Sequence, residues 1–295
     1  MSTRRFKQVD VFTTKPFWGN AVAVVLDAEG LSPEEMQRIA AWTNLSETTF
    51  VLPPTSPEAD YRLRIFTPRV ELPFAGHPTV GSAHAVLESG IVRPESSAMV
   101  QECGSGLLPI RVEKDSGERR IFVKAPQAKA SSVEKTYTER IVKALTAKLA
   151  PDSAPLLVDV VPVWLVAELE DAGEIHTLEP DMAAISRLSS ELSVTGMTVF
   201  ALTHTQPYAV YTRSFAPADN IPEDPVCGSG NASVAAFLAH FDKLRLTGYD
   251  YIANQGLELG RNGVIYVRVN KTDLSIEIGG SSITCIEGFL QDRAY

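Results

Sequence analysis

The sequence predicts an α+β protein of two repeated halves, each rich in strands and each holding one very apolar helix. Three observations carry this. His77-Pro78-Thr79-Val80-Gly81-Ser82 and Asp224-Pro225-Val226-Cys227-Gly228-Ser229 agree in kind at their first, second, fifth and sixth positions, and each opens an apolar helical run. They lie 147 residues apart in a chain of 295. The segments ahead of them recur in the same order: Tyr61 to Pro68 with Tyr208 to Pro217, Thr49 to Leu52 with Val199 to Leu202, and Ser32 to Trp42 with Pro180 to Leu192. Self-similarity at a fixed spacing marks a duplicated unit, and two domains of near 140 residues fit the usual size.

The elements follow from pattern and punctuation. Phe6 to Phe12 alternates at period two, the Gly19-Asn20 turn follows, and Ala21 to Leu26 reads as a second strand. Ser32-Pro33-Glu34-Glu35 is a capping box with proline at the first helical position, so a helix starts there. After the first motif, Val80, Ala83, His84, Val86 and Leu87 fill a helix that Gly90 stops. Strands are expected at Leu107 to Glu113 and Arg119 to Lys124, and Ala125 to Lys135 is the best linker. A helix over Thr138 to Leu149, a strand over Val158 to Leu169 and a second apolar helix over Asn231 to Leu244 follow. The chain closes with strands at Leu257-Glu258-Leu259, Val264 to Val269, Leu274 to Ile278 and Ile283 to Leu290.

Composition narrows the function. Apolar content of 44% and charged content of 21% are ordinary for a globular protein. A net charge of −9 with no basic cluster excludes a nucleic-acid partner, whose phosphates demand a basic face. Met1 to Phe6 has no apolar leader and no run approaches a membrane span, so neither export nor a membrane partner is expected. Three cysteines without metal-ligand spacing suggest a reducing cytoplasm. Five histidines, none in an H-x-x-x-H or H-x-H arrangement, make a metal site improbable.

The repeat places the chemistry. Two helix N-termini are expected to face one cleft, with His77 on one side and Asp224 on the other. Helix N-termini attract anions, so Gly81-Ser82 and Gly228-Ser229-Gly230 are expected to offer open amides to a carboxylate. Glu47 stands between Asn44-Leu45-Ser46 and the strand that follows, where partial desolvation raises a carboxyl's pKa toward neutrality. Each residue also has a plainer reading: a solvated loop for Glu47, a turn hydrogen bond for His77, a helix cap for Asp224. Cys227 begins Cys-Gly-Ser-Gly at a helix start, which lowers a thiol's pKa. Its repeat partner on the 147-residue offset is Val80, which has no proton to exchange, and this disfavours a two-thiol racemase.

Several motifs together resemble the phenazine-biosynthesis (PhzF-like) isomerases: Gln8-Val9-Asp10-Val11-Phe12, Gly19-Asn20-Ala21-Val22, Asn44 to Phe50, Gly76-His77-Pro78-Thr79, Glu223-Asp224-Pro225-Val226, and Gln255-Gly256 with Gly260-Arg261. The resemblance spans nearly the whole chain in order. It implies a diaminopimelate-epimerase-like fold, two pseudo-symmetric domains that each wrap a barrel-like mixed sheet around a central helix. The expected domains are 1–126, completed by a final strand near 284–295, and 127–283, with the site between them and a homodimer as the assembly. The resemblance makes Glu47 the catalytic acid/base, with His77 and Asp224 tuning and relaying protons. Ser46, Gly76, Gly228 and Ser229 are expected to bind the carboxylate of a small substrate, without cofactor or metal. The family substrate type is a dihydro-hydroxyanthranilate. The family often has threonine where Cys227 stands, a departure that bears on the substrate more than on the mechanism. The alternatives are an epimerase using Cys227 and a non-catalytic metabolite-binding protein.

Overall fold

The computed structural model describes residues 2–93, 97–115 and 117–292. The chain divides into two compact units, Met1–Lys124 with Gly279–Tyr295, and Ala125–Ile278.

In the first unit, β1 (Ser2–Val11) and β2 (Asn20–Val25) pair antiparallel. Helix α1 (Pro33–Thr43) then carries the chain over so that β3 (Thr48–Leu52) lies parallel to β2. The capping box that starts α1 is present in full. Glu35 N–H donates to Ser32 Oγ at 3.2 Å, and Ser32 N–H donates to Glu35 Oε2 at 2.8 Å. β4 (Tyr61–Phe66) returns antiparallel to β3, and the short β5 (Glu71–Leu72) pairs back onto it. Helix α2 (Gly76–Glu88) leads to β6 (Ala98–Cys103), parallel to β4. β7 (Gly106–Asp115) and β8 (Glu118–Lys124) follow as antiparallel neighbours.

The second unit repeats this order. Here β9 (Lys129–Ser132) pairs with β10 (Leu156–Asp159), across helix α3 (Lys135–Leu145), and β10 pairs with β11 (Val163–Glu168). The short α4 (Glu174–Thr177) and α5 (Met182–Leu192) cross to β12 (Gly196–Leu202), parallel to β11. β13 (Val210–Ala216) and β14 (Ile221–Asp224) lead into helix α6 (Gly228–His240) and the short α7 (Leu244–Thr247). β15 (Asp250–Gln255) lies parallel to β13, and β16 (Gly263–Val269) and β17 (Ile276–Gly280) follow. The last strand, β18 (Ser282–Asp292), belongs to the first unit and pairs with β1.

Each unit therefore curls a mixed sheet around one helix of 13 residues, α2 or α6, packed against strands on several sides. Both helices are buried nearly all round, which is why their sequences show no polar face. This is the diaminopimelate-epimerase-like fold.

Four expectations need correction. Val158 to Leu169 is two strands, because Val160-Val161-Pro162 turns between them; Pro162 cannot donate to a sheet ladder. Leu257–Leu259 is a 3-10 turn, and the strand before it, Asp250–Gln255, was not expected. The linker stretch contains the edge strand β9. The fourth concerns the repeat itself. The matching helix starts are Gly76 and Gly228, 152 residues apart, so the 147-residue offset misaligns the helices. Val80, Gly81 and Ser82 lie inside α2, not at its start. A Cβ on Gly81 would sit 2.5 Å from Val22 Cγ1, so this glycine serves packing of helix on strand.

Candidate active site

Glu47 lies in the tight connection from α1 to β3. Asn44, at φ 54°, ends the helix, and the Glu47 carbonyl accepts from Ala23 N–H at 3.3 Å where the parallel β2–β3 ladder begins. That bond fixes the backbone and directs the side chain inward, where 14% of it remains exposed. Burial pushes the carboxyl up to about 7, against a smaller opposing effect of a hydrogen bond from the half-buried Ser46. The plainer reading, a solvated loop glutamate, does not hold.

His77 is the second residue of α2 and is 7% exposed. Its Nε2 lies 3.4 Å from Glu47 Oε2. The capping residue Ala75 supplies no side-chain acceptor, and Pro78 has no N–H, so the helix start at Gly76 is not capped from within. One turn on, Ser82 Oγ and Thr49 Oγ1 share a hydrogen bond at 2.8 Å, and Thr49 Oγ1 donates to the Ala23 carbonyl at 3.2 Å. This buried link ties α2 to β3 and so fixes His77 beside Glu47.

The other predicted residues gather at the start of α6. Asp224 ends β14, and its Oδ1 accepts from Val226 N–H at 3.0 Å, an Asx turn. It does not cap α6. Cys227 does, accepting the Gly230 N–H on Sγ at 3.2 Å. Burial above all, and then the charge of Asp224, push the Cys227 thiol far above its usual range, so it stays protonated. Gly228 is buried, and Ser229 is half-buried with Oγ accepting from Trp164 Nε1–H at 3.0 Å.

The corrected register changes the pairing of residues. The residue matching His77 is Ser229, and the residue matching Asp224 is Leu72, each ending its short strand. Symmetry therefore lends Asp224 no support. The residue matching Cys227 is Ala75 rather than Val80, and it too lacks a thiol.

Two residues escaped sequence reasoning. Gln255 is 2% exposed and sits within hydrogen-bond reach of four groups. Its Oε1 faces Cys227 N–H (3.1 Å), Asn231 Nδ2 (3.0 Å) and Thr212 Oγ1 (3.1 Å), and its Nε2 donates to the Asp224 carbonyl at 2.9 Å. It was visible only as part of a Gln-Gly pair. Trp164 was visible only as an apolar strand residue. Among the described residues no three His, Cys, Asp or Glu side chains are grouped to hold a metal, and no helix is long and apolar enough to cross a membrane.

The profile of the phenazine biosynthesis-like protein family, PhzC-PhzF, matches residues 9–288. The chain belongs to this family. It is 40% identical to the "antisense-enhancing sequence 1" protein of Schizosaccharomyces pombe, over 98% of this chain and 99% of that one. It is 31% identical to the trans-2,3-dihydro-3-hydroxyanthranilate isomerase of Pseudomonas aeruginosa, over 99% of both chains. The crystal structure of the Bacillus anthracis phenazine biosynthesis protein of the PhzF family superposes with a TM-score of 0.87, at 26% identity, covering 99% of this chain and 100% of that one. The chain is thus an isomerase of the PhzF kind.

Proposed function

We propose that this isomerase moves a proton between two carbons of a small, carboxylate-bearing, partly unsaturated ring, without a cofactor. A dihydro-hydroxyanthranilate, the kind of compound named for the Pseudomonas aeruginosa relative, is the substrate class. The observation that carries this is Glu47: a carboxyl raised by burial to about 7, 3.4 Å from His77. Such a group is a stronger base than a solvated carboxylate and still ionises at neutral pH, which is what a proton shuttle needs. Glu47 takes the proton from the activated carbon as the electron pair moves into the conjugated system, then returns it at the far end. Nothing is oxidised or reduced. His77, with Nε2 3.4 Å from Glu47 Oε2, steadies the Glu47 carboxylate.

Ser46, Gly76, Gly228 and Ser229 bind the substrate's carboxylate, and Asp224 serves as a second polar group. For Asp224 the support is the family resemblance alone. The epimerase alternative has less behind it, because a buried, protonated capping thiol is a poor base and Ala75 offers no partner thiol.

The test is solvent-deuterium incorporation into a dihydro-hydroxyanthranilate. Glu47→Gln is expected to abolish it and Cys227→Ser to leave most of it. The reverse pattern would establish the epimerase chemistry instead.

A further inference from the structure

We infer that Trp164 is a positioning residue for the substrate's carboxylate, acting through the Ser229 hydroxyl. The inference rests on the isomerase reading, since it concerns the same carboxylate.

An indole N–H only donates, so at 3.0 Å the Ser229 oxygen must accept. The hydroxyl's own proton then points elsewhere. Within the fold it can reach Cys227 Sγ at 3.6 Å, a protonated thiol whose sulfur already receives the Gly230 N–H. That is a weak acceptor. A carboxylate over the half-buried Ser229 would draw the same proton into a charge-assisted bond, roughly twice as strong as a neutral one. Donation from the indole polarises the hydroxyl in the same direction.

The indole is held firmly. Trp164 is 3% exposed and pairs with Val158 on β10 and Gly196 on β12. A Cβ on Gly196 would sit 2.1 Å from the Phe215 carbonyl oxygen and 2.9 Å from the Trp164 ring, so only a glycine fits between the neighbouring backbone and the ring.

The first unit shows why that space exists. Thr49 pairs with Ile65 and Ile65 with Leu72, as Thr198 pairs with Ser214 and Ser214 with Asp224. On this register Gly196 occupies the place of Glu47. In the first unit Glu47 reaches the second residue of the central helix; in the second unit the glycine yields and Trp164, from the neighbouring strand, reaches it instead. Trp164 thus fills the role of a fixed donor where its counterpart site holds a proton carrier.

The experiment uses the full chain labelled with 15N at its tryptophan indoles. Three signals are expected, and Trp18→Phe and Trp42→Phe, both at exposed residues, assign two of them. Titration with 3-hydroxyanthranilate should move the Trp164 signal saturably, while 2-aminophenol, which lacks the carboxylate, should not. Ser229→Ala should remove the shift and weaken binding about tenfold, near the worth of one charge-assisted hydrogen bond. In the deuterium assay Trp164→Phe should raise KM about tenfold with kcat little changed, and adding Ser229→Ala should cost no more. A Trp164 signal that stays put while 3-hydroxyanthranilate binds, or that moves equally in Ser229→Ala, overturns the inference. So do additive losses in the double variant. If Trp164→Phe does not fold, the titration decides alone. Deuterium exchange by the unaltered protein reports separately on the isomerase reading: exchange with an unmoved Trp164 signal sinks only the role of Trp164.

Discussion

The starts of α2 and α6 share one topology and carry opposite chemistry. At α2 the sequence is Ala75-Gly76-His77-Pro78, without a side-chain cap and with the raised carboxyl of Glu47 beside it. At α6 it is Cys227-Gly228-Ser229-Gly230, capped by the thiol and braced by Gln255 and Trp164. One start holds a carboxyl that ionises near neutral pH; the other holds groups whose protons are committed to bonds within the fold. The comparison teaches that a duplicated scaffold fixes where side chains converge, while single positions such as Glu47 and Gly196 decide what they do there.

Breaking the braced side should have the largest effect. Gln255→Leu removes the buried acceptor of Cys227 N–H and the amide donor to the Asp224 carbonyl, while the Asn231 amide keeps only its bond to the Cys227 carbonyl, and should destabilise the fold by about 4 kcal/mol in urea unfolding. Next comes the cost of burying Glu47. Its carboxyl ionises near 7 when folded and near 4.5 otherwise, so the folded state holds the proton more tightly. Its contribution to stability is therefore full below about 4.5 and falls as pH rises to about 7. Glu47→Gln, which stays neutral, should be more stable than the parent by up to about 3 kcal/mol at pH 8 and nearly equal to it at pH 4. Unfolding curves at the two pH values check this.

His77→Asn should slow deuterium exchange about 100-fold, within the usual range for an acid–base partner, and shift the pH at which activity rises. The smallest effect sharpens the comparison from the braced side. Cys227→Ser keeps an oxygen acceptor for Gly230 N–H, so it should cost about 1 kcal/mol of stability and leave exchange within a few-fold.

Much of this was legible in the sequence, for physical reasons. The capping box at Ser32 has a local cause and is present as read. The two apolar helices announced themselves because burial on all sides removes every polar position. What misled was the repeated Gly-Ser. In α6 it opens the helix, whereas in α2 the same pair lies a turn inside, where Gly81 clears Val22 and Ser82 bonds Thr49. Local chemistry alone does not distinguish these; strand register does. Gln255 and Trp164 were hidden for a related reason, since their partners lie 28 and 65 residues away along the chain.

The most direct measurement is the ionisation of Glu47 itself. With 13C at the glutamate carboxyls and Glu47→Gln to assign the signal, the Glu47 resonance should titrate with a midpoint near 7. Deuterium exchange should rise with the same midpoint. A midpoint near 4.5, or exchange that survives Glu47→Gln undiminished, would contradict the account.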